Sequence, residues 1–151
     1  MAVAKIKHSN DGECQKCAEI IDRFPGINVA LRDWFEVLQR LHPHFHVSCA
    51  GRGFEAQQMA KKTGASRANY GESAHNYNCA LDLFIQLPNV DLYNSRIFND
   101  TLLGKLPPFL VWYGEPGSKF KELPHVEVRA WKNLLASGFV KIVERDPREV
   151  A

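Results

Sequence analysis

The sequence predicts an α+β fold, a small antiparallel sheet flanked by helices, on three observations. Its 151 residues are 45% hydrophobic and 24% charged, the composition of one globular domain rather than two. A chain of this length buries roughly 70% of its unfolded surface, so a core forms without disulfide or metal staples. Helical and extended hydrophobic patterns then mix along the chain, with no repeat or low-complexity segment between them.

Residues 1–12 are polar and end in Asn10-Asp11-Gly12, a turn signature that places a first helix over 13–24. Pro25-Gly26 breaks it. Asn28 caps a second helix in which Val29, Leu31, Phe35, Leu38 and Leu41 recur at three- and four-residue spacing, and which stops before Pro43. Residues 44–50 alternate polar with apolar side chains and read as a strand, turned by Gly51-Arg52-Gly53. Residues 54–63 read as a helix ended by Gly64. The loop over 64–78, rich in Gly, Ser, Asn and Tyr, is long enough to be functional or disordered. It feeds an apolar strand over 79–85 with one carboxylate, Asp82, inside it. A helix over 95–103, a restart at Pro107-Pro108, and strands over 109–113 and 126–128 follow. Residues 130–136 form a short helix closed by Gly138, 139–143 a last strand, and the charged remainder a frayed tail. Trp34, Phe35, Phe109 and Trp112 read as core.

Lys and Arg total 19 against 17 Asp and Glu, and a net charge of +2 lacks the concentrated basic stripe of a nucleic-acid binder. The N-terminus has no apolar h-region and no stretch approaches the roughly 18 apolar residues of a membrane span. The sequence therefore predicts cytosolic synthesis without a signal peptide and no membrane insertion. Cys14, Cys17, Cys49 and Cys79 in such a chain read as reduced thiols rather than disulfides.

Three groups of residues carry candidate chemistry. A catalytic zinc commonly takes three ligands from His, Asp or Glu and leaves a fourth position for water, and His75, Asp82 and His125 would supply that set. Asp82 is the telling member, because an ionised carboxylate among Ala80, Leu81, Leu83 and Phe84 is costly to bury unless a cation or strong donors face it. The alternative is an Asp pointing outward from an edge strand. Glu122 precedes His125 by three residues, with Pro124 fixing the backbone, which suits a general base; a solvated surface charge is the alternative. The third group is Cys14, Cys17, His42, His44, His46 and Cys49. Its gap of 24 residues between Cys17 and His42 exceeds the roughly 12 to 15 of a zinc finger. It reads instead as two cysteines on a helix and two histidines, His44 and His46, sharing one strand face along a polar edge.

The stretch Ser73-Ala74-His75-Asn76-Tyr77-Asn78-Cys79-Ala80-Leu81-Asp82 resembles a known signature, Ser-x-His-x-x-Gly-x-Ala-x-Asp, at four of its five fixed positions. That signature belongs to the zinc D-Ala-D-Ala carboxypeptidase and L-alanyl-D-glutamate endopeptidase family, which includes many bacteriophage endolysins. Trp112-Tyr113-Gly114 followed by Phe120-Lys121-Glu122-Leu123-Pro124-His125 is similar to the family's second motif, a Trp-Gly-Gly turn and Phe-x-Asp/Glu-x-Pro-His. Upstream, Ser48-Cys49-Ala50-Gly51-Arg52 with Gln57 resembles its Ser-Gly-Tyr-Arg-Ser stretch and following Gln. Three motifs in the right order make the match specific.

The resemblance implies a hedgehog/DD-peptidase-like fold in a single zinc peptidase domain, with 1–43 as helical lead-in, 44–128 as catalytic core and 129–151 as C-terminal helix and tail. It implies Zn2+ held by His75, Asp82 and His125, with Glu122 as catalytic base and Arg52 on the substrate or oxyanion. Ser73, Gln57, Trp112 and Tyr77 would bind substrate or orient the ligands. The expected activity is hydrolysis of a peptidoglycan stem-peptide bond, L-alanyl-D-glutamate, by a phage endolysin or virion-associated lysin. The expected partners are bacterial peptidoglycan and phage tail or baseplate proteins, with the free protein a monomer. It would be made in the host cytoplasm and act in the cell wall or periplasm. A D-Ala-D-Ala carboxypeptidase or dipeptidase, and a non-catalytic zinc-binding virion structural protein of the same fold, are the alternatives. Asn78 stands where the family has Gly, which fits a left-handed backbone. Tyr113 replaces the first Gly of the Trp-Gly-Gly turn and Val126 a usual Phe, near the cleft rather than on the ligands.

Overall fold

The computed structural model describes residues 6–118 and 121–146, so Phe120 and the far C-terminal tail lie outside the described residues. Its frame is an antiparallel sheet of β1 (Phe45–Cys49), β2 (Ala80–Ile85), β3 (Leu110–Trp112) and β4 (His125–Val128), in the spatial order β1-β2-β4-β3. Around it lie α1 (Gln15–Asp22), α2 (Val29–Leu41), α3 (Phe54–Lys62), α4 (Ser95–Leu102) and α5 (Trp131–Ala136). The predicted α+β architecture, a small antiparallel sheet flanked by helices, is the one observed. Asn28 Oδ1 accepts from Leu31 N at 3.1 Å to start α2, as its position before an amphipathic run dictates, and Asn94 does the same for α4.

Strand alternation divides the sheet into two faces. Phe45, Val47, Leu81, Leu83, Ile85, Trp112 and Val126 occupy one face and are fully buried. Phe45 meets Phe98 of α4 edge-on at 5.2 Å, and Phe98 stacks on Trp112 at 6.2 Å. Each such side chain contributes about 1.5–3 kcal/mol by leaving water. That face therefore fixes the sheet and leaves the other free for polar groups. The second face carries His46 opposite Phe84, then Asp82 opposite His125, and Glu127 opposite Ala80. Between Val47 and Cys49 the register slips, so Cys49 rather than Ser48 stands opposite Asp82. This is a β-bulge, a device common beside functional sites.

Four expectations need correction. Residues 139–143 form no strand. Their backbone bonds go elsewhere, beside the loop before β2, where Val143 N donates to Asn76 O at 2.6 Å and Tyr70 Oη donates to Val143 O at 2.8 Å. The 64–78 loop is not wholly irregular, since Ala74–Tyr77 makes a 3-10 turn. His46 does not line a polar edge, because α1 packs over β1 and buries its ring completely. Phe109, read as core, is 38% exposed just before β3 begins. Past the absent strand, the carboxylate of Asp146 accepts from Gly53 N at 2.7 Å and Ala56 N at 2.9 Å, capping α3 from far along the chain.

Candidate metal centre and cleft

Asp82, in the middle of β2, is the point on which the polar residues converge. His75 arrives from the 3-10 turn and places Nε2 3.1 Å from Asp82 Oδ1; His125, the first residue of β4, places Nδ1 3.3 Å from the same oxygen. The local backbone makes this possible. Ser73 caps the turn by accepting from His75 N at 3.3 Å, and Asn78 ends it in the left-handed conformation, φ 57°. Asn is the non-glycine residue best suited to such a position.

The outer nitrogen of each ring is committed elsewhere. His75 Nδ1 lies 2.6 Å from Ala50 O, and His125 Nε2 lies 2.7 Å from Glu127 Oε1. A carbonyl and a carboxylate only accept, so these nitrogens donate, and in the neutral rings His75 Nε2 and His125 Nδ1 present lone pairs toward Asp82 Oδ1. Three acceptors meeting at one point require a proton or a cation between them. The two separations from Asp82 Oδ1, 3.1 and 3.3 Å, come close to the ligand-to-ligand edges of about 3.3–3.6 Å of a tetrahedral zinc with bonds of about 2.0–2.2 Å. Two imidazoles and one carboxylate are a donor set that fits a zinc ion, and Glu127 stands where such centres favour a carboxylate behind a histidine ligand.

The electrostatics agree. Burial disfavours charge on His75, but the Asp82 carboxylate and the Cys49 sulfur together outweigh it and lift the imidazole to about 10. Burial likewise acts to raise Asp82, yet His75 and His125 hold it well below the usual carboxylate range. His125 is raised against its burial by its bonds to Asp82 and Glu127. Where no cation is bound, a proton takes its place.

Arg52 donates from a terminal nitrogen to Asp82 Oδ2 at 2.8 Å and from the other to Gln57 Oε1 at 3.3 Å. It thus orients the carboxylate while also lining the cleft. The bulge brings Cys49 close as well: its Sγ lies 4.0 Å from His75 Nδ1, and Cys49, His75 and Asp82 offer donor atoms within 4.8 Å of one another. Cys49, however, opens onto a different hollow from the one that holds His75, Asp82 and His125.

That cleft has a volume of about 590 Å³ and a neighbouring lobe of about 540 Å³, and the two meet at Ser73, Glu122 and His125. Glu122 Oε2 stands 4.0 Å from His125 Nδ1 with its side chain 38% exposed, on the cleft wall and open to water. Arg52 and Lys121 line one lobe, and Arg129 and Lys132 the other.

Of the remaining expected site residues, three are buried supports rather than cleft walls. Gln57, fully buried, accepts from Arg52 and Asn76 and donates to Ser66 Oγ and Ala68 O, tying the 64–78 loop to α3. Tyr77 donates to Gly71 O at 2.7 Å and stacks on Trp131. Trp112 donates from Nε1 to Leu123 O at 2.7 Å, which fixes the segment carrying Glu122 and His125. Gly114 allows this: a Cβ there would lie 2.1 Å from Trp112 Cζ2. Two residues the sequence reading missed are Glu127 and Tyr113. Glu127 is two residues from His125 on a strand, hence on the same face, and that spacing was a usable signal. Tyr113 lays its ring 4.6 Å from that of His125, and burial raises its hydroxyl above the ordinary value.

No family model and no curated protein matches the sequence. Among solved structures, the chain is similar to Serratia marcescens L-Ala D-Glu endopeptidase ChiX, with a TM-score of 0.58 and 18% sequence identity over 78% of this chain and 91% of that one. The fold of this protein is the fold of that endopeptidase.

Proposed function

We propose that this chain is a zinc-dependent peptidoglycan peptidase that cleaves the L-alanyl-D-glutamate bond of the stem peptide, as a phage endolysin or virion-associated lysin. One observation carries the reading: His75 Nε2, His125 Nδ1 and Asp82 Oδ1 converge at an open cleft, in a fold shared with an L-Ala D-Glu endopeptidase. His75, Asp82 and His125 would hold the ion. When bound, zinc supplies a Lewis acid that acidifies water and polarises an amide carbonyl.

The chain's own residues supply the rest. Glu122, on the cleft wall, takes a proton from the attacking water and returns it to the leaving amine, a role worth about 10²–10⁴-fold in rate. Arg52 keeps the Asp82 carboxylate turned toward both rings, and its fixed positive charge suits a carbonyl oxygen that gains negative charge. Glu127 holds His125 in the tautomer that leaves Nδ1 free. The cations of the two lobes match the carboxylates of a stem peptide. Cys49 is set aside as a ligand because it does not open onto the cleft.

Purified peptidoglycan and defined muropeptides test the proposal, with turbidity and product mass as readouts. Wild type is expected to release fragments cut between L-alanine and D-glutamate, while His125→Ala and Glu122→Ala lose at least 100-fold. Equal activity in all three overturns it. Release of D-alanine alone identifies a carboxypeptidase, and bound zinc without hydrolysis of any muropeptide identifies a non-catalytic virion protein.

A further inference from the structure

We propose that His8, Cys14, Cys17 and His46 form a second metal centre that binds one zinc ion and serves the fold rather than catalysis. Their donor atoms all lie within 4.8 Å of one another. Cys14 Sγ is 3.4 Å and Cys17 Sγ 3.3 Å from His8 Nδ1, and Cys17 Sγ is 3.4 Å from His46 Nδ1. Zinc bonds of about 2.3 Å to sulfur and 2.0 Å to nitrogen give sulfur-to-nitrogen edges of about 3.5 Å in a tetrahedron. The cluster already has nearly those dimensions.

Donors face both sulfurs, although burial pushes the Cys17 thiol up to about 12, so a bound cation would have to hold its charge. Cys14 Sγ receives Ser9 N and Cys17 N, and Cys17 Sγ receives Val47 N and the side-chain amide of Gln39. A thiol is a weak acceptor, so two N–H donors on each sulfur match a charged one better. His46 lies with Nε2 2.7 Å from Asn10 Oδ1, and an amide oxygen only accepts, so Nδ1 is left to the cluster as a ligand requires. Cys14, Cys17 and His46 are at most 2% exposed.

Two other readings of these residues fail on geometry. A Cys-x-x-Cys pair at a helix start can be a redox couple, but such sulfurs must meet a partner protein, and these are buried under two imidazoles. Two cysteines and two histidines can also hold a two-iron cluster, but each pair then ligates its own iron, which four donors within 4.8 Å of one another cannot do. A single tetrahedral S2N2 ion remains, and that donor set favours zinc. Its ligands come from the segment before α1, from the start of α1 and from β1. The ion would pin those three elements together on the sheet face that carries Asp82 two residues from Phe84, the partner of His46. None of its ligands belongs to the site around Asp82, so it stands independently of the peptidase reading.

The test uses the full chain, purified under reducing conditions and loaded with Zn2+ or Co2+. Metal analysis is expected to find two ions per wild-type chain and one in the double variant His75→Ala/His125→Ala. With Co2+, that variant is expected to keep an intense near-ultraviolet thiolate-to-metal charge-transfer band. Cys49→Ser leaves the band in place, and Cys14→Ser/Cys17→Ser abolishes it. Should the double serine variant fail to fold, the spectrum of His75→Ala/His125→Ala decides alone. No retained metal and no thiolate band in that variant overturn the proposal. Absence of hydrolysis by the wild-type chain with the band intact would count against the peptidase reading only.

Discussion

Replacing Glu127 by Gln probes the centre without touching any of its ligands. Glu127 Oε1 accepts from His125 Nε2 at 2.7 Å and Oε2 accepts from Trp131 Nε1 at 2.8 Å, in a residue only 6% exposed. Glutamine has the same shape but turns one of those oxygens into an NH2 group, so one of the two donors must face another donor. A buried donor left without an acceptor costs about 1–3 kcal/mol, and the surviving bond loses the charge that strengthened it. If the amide oxygen stays with Trp131, His125 loses the group that fixes its tautomer. Loss of such a supporting carboxylate typically lowers metal affinity or activity by about 10–100-fold. We expect Glu127→Gln to lower zinc affinity at the centre around Asp82 within that range and to destabilise the fold by about 1–3 kcal/mol. Chelator competition measures the first and urea unfolding the second. An affinity within twofold of wild type together with an unchanged unfolding midpoint would refute the assignment of Glu127 as the residue that positions His125.

Two further predictions concern packing and pH. Gly114→Ala puts a methyl group into the Trp112 ring, so the ring must move and its bond to Leu123 O is strained or lost. The expected cost is about 1–3 kcal/mol in urea unfolding, with reduced hydrolysis because the segment bearing Glu122 and His125 loses its anchor; an unchanged midpoint counts against it. In the metal-free protein, His75 is raised from 6.5 to about 10, so its proton stabilises the fold fully below pH 6.5 and is lost as pH rises to 10. Chelator-treated protein should therefore lose stability across that window, while zinc-saturated protein, whose ligands are already deprotonated, should not; parallel profiles from urea midpoints would contradict this.

The sequence was most legible where geometry is local. His75 and Asp82 are seven residues apart, joined by one 3-10 turn and the start of β2, so a short pattern suffices to place them side by side. The left-handed Asn78 follows from the same pattern. The spacing of Glu127 from His125 placed the two on one face, but its burial was not legible, because a Glu between valines reads as the solvent-facing residue of a strand; that burial depends on His125 beside it and Trp131 of α5 above it. Chain spacing misjudged the cysteine group for a similar reason. His8 precedes Cys14 and returns to it through the turn at Asn10 to Gly12, while His46 is brought by the stacking of α1 on β1, and neither contact is measured by the gap to His42. The missing last strand belongs here too: the hydrophobic pattern of 139–143 is real, but both sheet edges end without it and the 3-10 turn offers Asn76 O instead.

The bulge in β1 works as a length gauge. Because side chains alternate every residue and each residue advances the strand by about 3.3 Å, a regular β1 would set Ser48 opposite Asp82. The turn at Gly51 would then begin one residue late, and the Arg52 guanidinium would overshoot its carboxylate. One additional residue in β1 absorbs that error. An insertion or deletion between Ser48 and Arg52 would therefore be transmitted to the centre as a displaced positive charge.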